Sequence, residues 1–358
     1  GALGRIAHRL KQQHAALLNS GVAGTAITYP FFWPMARWLA HTHPDQLVLD
    51  WDAIDSTDRL LEWLPQLVPA SEAGALDELD FSAREWIDRL RGPRVTDATF
   101  VVRRIQAMQA TDTIREAIHD QLDLRYRLEP AAATASRTRA YHKLPVTYQK
   151  SELQRSRPDL ETAIREQPRK VRFCSEREGG QLVNLAREAM LTRSRDLDVF
   201  SYGNPRDVRL VDFGDGLQFA CIGFIPERRL LLHSLYGFLT LKNGVPIGYV
   251  LASALFGCAG IAFNTFETYR GAEAGVVFGR VLAMAHILFA ARSFSIDPYQ
   301  LGYGNSEGLA SGAWWFYYKL GFRPLDAEVK RILRVELRKK KAQPKHRSSV
   351  ETLEKLAS

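Results

Sequence analysis

Glycine divides this chain of 358 residues. None of its 25 glycines falls between Pro93 and Glu178, while 19 lie between Gly179 and Gly321. Glycine inside a helix costs about 1 kcal/mol relative to alanine, so a long glycine-free stretch rich in Ala, Leu, Arg and Glu predicts helices. Apolar residues recur there at three- and four-residue spacing, as in Phe100, Ile105, Met108 and again in Ile114, Ile118, Leu122. Asp80 and Asp159 stand where helix N-caps belong. Five of the seven tryptophans precede residue 90, as a separate core requires. The expectation is an all-helical domain over residues 1–168, with EPAAATASRTRA (129–140) as an internal linker.

The length allows two domains, each with its own core. No run of 18 uncharged apolar residues occurs, so no membrane span is expected. The nearest stretch, Gly21 to Trp38, contains Pro30, Pro34 and Arg37, and TYPFFWPMARWLA reads as the buried start of a helix. Cys174, Cys221 and Cys258 are far apart, which argues against a disulfide framework and for a reducing, cytoplasmic setting. His41 and His43 have no acidic or thiol partner at metal-ligand spacing; they read as surface residues, and no metal is expected. The net charge of +8 is localised. Residues 136–177 hold eleven Lys/Arg against five Asp/Glu, and residues 326–347 hold nine against three. Each segment is therefore +6, which suits an anionic partner such as a carrier protein or a tRNA, or simply a solvated basic face.

After Pro168 the pattern becomes strand-like. KVRFC (170–174) precedes a helical EGGQLVNLAREAM, followed by VRLVDF, a Gly-Asp-Gly turn, LQFACIGFI and RLLLHSLYGFLTL. In LTLKNGVPIGYVLASALF, Asn243-Gly244 separates two apolar runs, the signal of a two-residue hairpin turn. GIAFNTFETYRG then runs from a strand into a polar turn that opens an almost wholly apolar helix, AGVVFGRVLAMAHILFAAR. PYQLGYG reads as one more strand before the helix that carries WWFYYKLGF. The expected fold is α/β (α+β), a mixed sheet with flanking helices.

These residues resemble the GNAT superfamily of N-acyltransferases over about 170–325. Three features carry the resemblance: the hairpin, then Tyr269-Arg270-Gly271-Ala272-Glu273-Ala274-Gly275 ahead of the apolar helix, then Ala313-Trp314-Trp315-Phe316-Tyr317-Tyr318-Lys319-Leu320-Gly321-Phe322. It implies a GNAT-like acyltransferase domain at 169–325. The basic stretch at 326–358 reads as a helical extension, with Asp326 as N-cap and Lys/Arg toward its end, although Leu333, Val335 and Leu337 alternate with charges as the family's last strand would; as a helix it lacks the family's final hairpin. The resemblance also implies acetyl-CoA or another acyl-CoA as donor, with the pyrophosphate at Arg270, Gly271 and Gly275, where backbone N–H groups and the helix dipole favour negative charge. Glu273 departs from the pattern. Its carboxylate stands where the family has glycine, and a donor without the 3′-phospho-ADP part of coenzyme A, such as an acyl carrier protein or an aminoacyl-tRNA, fits both Glu273 and the basic segments.

Amide formation from a thioester needs a base for the amine, a donor for the carbonyl oxygen and an acid for the leaving thiolate. The resemblance places the oxyanion donor near Thr265 and Phe266 and the acid at Tyr317. Tyr318 lies about 100° further round the helix, so at most one of the two faces the thioester. Tyr317 also fits a core stripe with Ala313 and Leu320. Glu267 is the candidate base, or else a partner for Arg270; His233 and His286 are further candidates in apolar elements. Asn305 either bonds the pantetheine arm or caps the next helix. The acceptor is an amine on a small molecule, peptide or protein. Two other readings stand beside the enzyme: a GNAT-shaped binding module without turnover, and an aminoacyl-tRNA-dependent transferase.

Overall fold

A computed structural model describes residue 4 and residues 17–150, 152–154, 156–271 and 273–358. The chain forms two compact units, residues 1–141 with 183–202, and residues 142–182 with 203–358. The boundary expected at 168 therefore falls inside the second unit.

The first unit contains β1 (Ile27–Tyr29), α1 (Trp33–Thr42), β2 (Leu47–Leu49), α2 (Asp58–Leu67), α3 (Ala70–Glu78), α4 (Ala83–Arg91), α5 (Asp97–Ala107), α6 (Asp112–Leu122) and β3 (Tyr126–Leu128). It is not all-helical, because β3 runs between β1 and β2 in a small antiparallel sheet. Three-residue strands are too short to register as alternation in the sequence, and they form where buried Ile27, Leu47, Leu49 and Leu128 meet the helical core. The helix that follows Asp80 is capped instead by Ser82, which exchanges bonds with Glu85 in a capping box. His43 is not at the surface either: it is buried and packs edge-on against Trp38.

The second unit opens with α7 (Leu160–Ile164), β4 (Lys170–Phe173) and α8 (Glu176–Leu191). From Val183 onward α8 belongs to the first unit, as does the short α9 (Asp198–Ser201). Asp159 does cap α7, accepting from the Thr162 amide at 3.2 Å. Strands β5 (Gly203–Gly214), β6 (Leu217–Phe224), β7 (Ser234–Lys242), β8 (Val245–Leu255) and β9 (Cys258–Thr265) form a meander, each antiparallel to the next. Helix α10 (Ala274–Phe289) then crosses to β10 (Ser293–Ser295), which is parallel to β9. The seven strands lie in the order β10-β9-β8-β7-β6-β5-β4, and the whole is an α+β protein with a mixed sheet. Helices α11 (Pro298–Leu301), α12 (Ser306–Ser311), α13 (Ala313–Leu320), α14 (Ala327–Ala342) and α15 (Val350–Ala357) complete it.

Two strand expectations move. PYQL is helical, not extended, because Asp297 accepts from the Tyr299 amide as N-cap and Pro298 sits at the first helical position; β10 lies five residues earlier. RLLLH is an exposed connection, and β7 begins only at Ser234.

The aromatic run of α13 serves two cores. Phe316 and Tyr317 pack with Phe263 of β9 and Phe278 of α10. On the other side Trp314 packs with Val329, Leu333, Leu353 and Leu356, and its indole N–H donates to the Leu356 carbonyl at 2.7 Å.

Candidate functional site

The last two strands of the sheet part company. β10 pairs with β9 only over Cys258–Gly260, whereas β9 continues to Thr265 against β8 alone. The Phe266 amide donates to Ile247 O at 2.9 Å. Antiparallel ladders alternate, so the amides of Phe263 and Thr265 turn away from β8, toward the side that β10 has left. Tyr317 reaches this open edge from α13, 3% exposed, with the Phe263 amide at its phenol oxygen. Burial pushes the phenol well above its ordinary value and the Phe263 amide pulls the other way, so the group keeps its proton at neutral pH. Tyr318 stacks on Trp314, ring centroids 5.3 Å apart, and packs with the C-terminal helices instead.

The turn after β9 is tied together by its own side chains. Arg270 donates through Nε to Thr265 O at 3.2 Å and forms an ion pair with Glu307, not with Glu267. Glu267 is exposed at the start of a single 3₁₀ turn and is not among the lining residues of the three cavities described below. Asn305 caps α12, accepting from the Gly308 amide at 3.1 Å while its own amide donates to Tyr299 O. The Phe266 amide, spent on Ile247, is not free for a ligand. His286 bonds the Ala291 carbonyl through Nδ1 at 2.8 Å, and His233 is exposed in the β6–β7 connection. The structure thus brings Tyr317 to the open edge and leaves Glu267, Asn305 and both histidines elsewhere.

Across this end of the sheet runs a strap, residues 142–158. His142 donates its amide to Gly244 O at 2.8 Å, and the Thr147 backbone exchanges bonds with the Asn243 side chain at 3.0 and 3.1 Å. Gln149 then bridges two charges, accepting from Lys242 Nζ at 3.3 Å and donating to Glu273 at 3.0 Å. The Gln154 amide adds a second bond to the same Glu273 oxygen, at 3.3 Å. Pro158 closes on α10 so tightly that a Cβ on Gly275 would lie 3.1 Å from its ring. Glu273 precedes α10 without capping it, so its carboxylate serves the strap.

The strap helps to line two cavities beside α10. One, of about 330 Å³, lies between Gly271, Ala274 and Gly275 at the start of α10, Trp315, Phe316 and Lys319 of α13, and Ser156 and Arg157 of the strap. Two exposed cations and the N-terminus of a 16-residue helix give it a positive rim. A Cβ on Gly271 would meet nothing within 4 Å. The other, of about 270 Å³, is mostly apolar, with Leu153, Leu217, Ile247, Val276 and Val277 around Lys242, Glu273 and the buried Thr240 hydroxyl. A larger groove of about 660 Å³ follows β10 and the 321–326 loop and includes Tyr317.

Sequence reasoning missed Gln149, Gln154, Arg157 and Lys319. Arg157 lay in the basic 136–177 segment and Lys319 in the aromatic motif, but nothing local brings either to the start of α10 or links Gln149 and Gln154 to residue 273. Comparisons with known protein families, curated proteins and solved structures find no match.

Proposed function

We propose that the chain is an N-acyltransferase that moves an acyl group from a thioester to an amine. The observation that carries this reading is the parting of β9 and β10, with a buried, protonated phenol at the amide edge exposed by it. An acyl carbonyl lying along that edge meets the backbone N–H of Thr265 as its oxygen gains charge, while the Phe263 N–H holds the Tyr317 phenol. Tyr317 holds the proton that the departing thiolate needs. The nucleotide of an acyl-CoA would take the 330 Å³ cavity, with Arg157 and Lys319 on its phosphates and Gly271 leaving room for their approach. This resembles the GNAT arrangement, displaced from the sequence motif: the donor amide is that of residue 265, the amide of residue 263 holds the phenol, and the cations are not Arg270. No side chain described at the open edge serves as base, so the amine arrives unprotonated or loses its proton to water.

The strap's hold on Glu273 favours a second donor class. Its carboxylate, held by Gln149 and Gln154, lines the neighbouring apolar cavity, which shares Gly271 and Ala274 with the phosphate cavity, and from there it repels a nucleotide but not a pantetheine arm carried on a protein. Calorimetric titration with acetyl-CoA and coenzyme A at two salt concentrations separates the cases. Saturable micromolar binding supports the nucleotide donor. Absence of binding at millimolar ligand, with transfer from an acyl carrier protein, supports the second. Absence of both leaves a binding module and overturns the enzyme reading.

A further inference from the structure

The sheet has three two-residue hairpin turns in which both central residues have positive φ. At Asp215-Gly216 (φ 50° and 75°) and Asn243-Gly244 (49° and 77°) the residues are those that tolerate this backbone. The third turn, joining β8 to β9, is Phe256-Gly257 (47° and 77°). A phenylalanine in the left-handed region is sterically costly, and here it buries nothing: Phe256 is 89% exposed.

Its neighbours share the anomaly. The β7–β8 register pairs Ser234 with Ala254, so the connection that enters β7 and the turn that leaves β8 lie at the same end of adjacent strands. Leu230, Leu231 and Leu232, which the sequence pattern would place in a strand, are exposed at 54%, 102% and 72%. Leu231 touches essentially nothing. Four large apolar side chains therefore project from two adjacent loops as a convex tip. Around it stand Arg228, Arg229, Arg292 and His233, with Glu227 and Asp207 as the nearby acids; Asp207 pairs with Arg229 at 3.3 Å. Arg292 is fixed at the tip by its amide, which donates to Gly257 O at 2.7 Å.

We infer that this tip inserts into the interfacial layer of a phospholipid bilayer with anionic headgroups. A convex apolar projection offers no groove for a folded partner, whereas leucine and phenylalanine side chains flanked by guanidinium groups match an acyl boundary beneath phosphates. The tip lies at the end of the sheet away from the strap, one β9 length or about 25 Å from the 266–275 turn, so docking leaves the candidate site open to water.

The test is vesicle flotation of the full chain with phosphatidylcholine alone and with phosphatidylcholine containing phosphatidylglycerol. The wild type is expected to float with the mixed vesicles and to release at high salt. Leu231→Ser and Phe256→Asn should each weaken partitioning about tenfold or more. Phe256→Asn also relaxes the turn, so its melting temperature should hold or rise, which separates lost docking from misfolding. Three results overturn the inference: no flotation of the wild type, flotation unchanged by both variants, or a dimer in solution that Phe256→Asn disperses without any vesicle binding, which would assign the tip to a contact between copies.

Discussion

Replacing Tyr317 by phenylalanine tests the proposed chemistry against the alternative that this residue is only core. The ring makes edge-on contacts with Phe278 and Phe322, at 5.5 and 5.9 Å between centroids, and phenylalanine keeps them all. What is lost is one hydroxyl at the Phe263 amide. Leaving that amide without a partner costs about 1–2 kcal/mol, a fall of a few degrees in Tm for a chain of this size. The catalytic cost is larger if the phenol is the acid: general acid catalysis contributes about 10²–10⁴-fold, or about 3–5 kcal/mol in the barrier. The assay compares kcat/KM of wild type and Tyr317→Phe with two donors, an alkyl thioester such as acetyl-CoA and an aryl thioester whose thiolate leaves without a proton. The alkyl donor should lose about 10²-fold or more and the aryl donor little. The buried phenol titrates above the neutral range, so no fall in the wild-type rate near neutrality belongs to it. A folded Tyr317→Phe that transfers from the alkyl donor at the wild-type rate would refute the assignment and return the residue to the core.

Other predictions concern the strap, the turns and the C-terminal helices. Glu273→Ala should release Gln149 and Gln154, speed limited proteolysis within residues 142–158 and tighten coenzyme A several-fold by removing a repelling charge; unchanged cleavage and affinity would show that the carboxylate does not hold the strap. Gly244→Ala should lower Tm far more than Gly257→Ala: both have φ of +77°, but the new Cβ would lie 1.9 Å from His142 O in the first and 3.7 Å from its nearest neighbour in the second. Equal losses would mean that backbone strain alone decides. Glu336 is buried, which pushes its pKa up, but bonds from Lys339, Ser348 and His346 outweigh this and hold it at about 2. Its charge therefore stabilises the fold fully above about pH 4.5, and that contribution fades as pH falls toward 2. The ceiling is about 3 kcal/mol, so Glu336→Gln should melt several degrees lower at pH 7 and converge with wild type in acid; a gap independent of pH would assign the loss to packing.

Most of the second unit was legible in the sequence because its signals are local. Asn243-Gly244, the apolar run of α10 and the glycine that follows the aromatic helix each act through a few neighbouring residues. The basic C-terminal stretch was ambiguous, with Leu333, Val335 and Leu337 alternating like a strand. Tertiary packing decided for helix by burying Val329 and Leu333 beneath Trp314. The same failure of local pattern explains RLLLH, whose apolar run has no sheet position to fill.

By itself the sequence determined the Asn243-Gly244 hairpin, the apolar helix after β9 and the aromatic helix before Gly321, and it left Tyr317 between the core and the site. Backbone propensity and hydrophobic period act over distances that the sequence spells out. Which amide faces that tyrosine, that Arg270 turns to Glu307, and that Glu273 is held by residues 119 and 124 positions earlier were decided only by the tertiary structure. Those facts depend on where β10 leaves β9 and on how a strap with little regular structure crosses the end of the sheet. No periodicity records a contact between segments brought together only by folding.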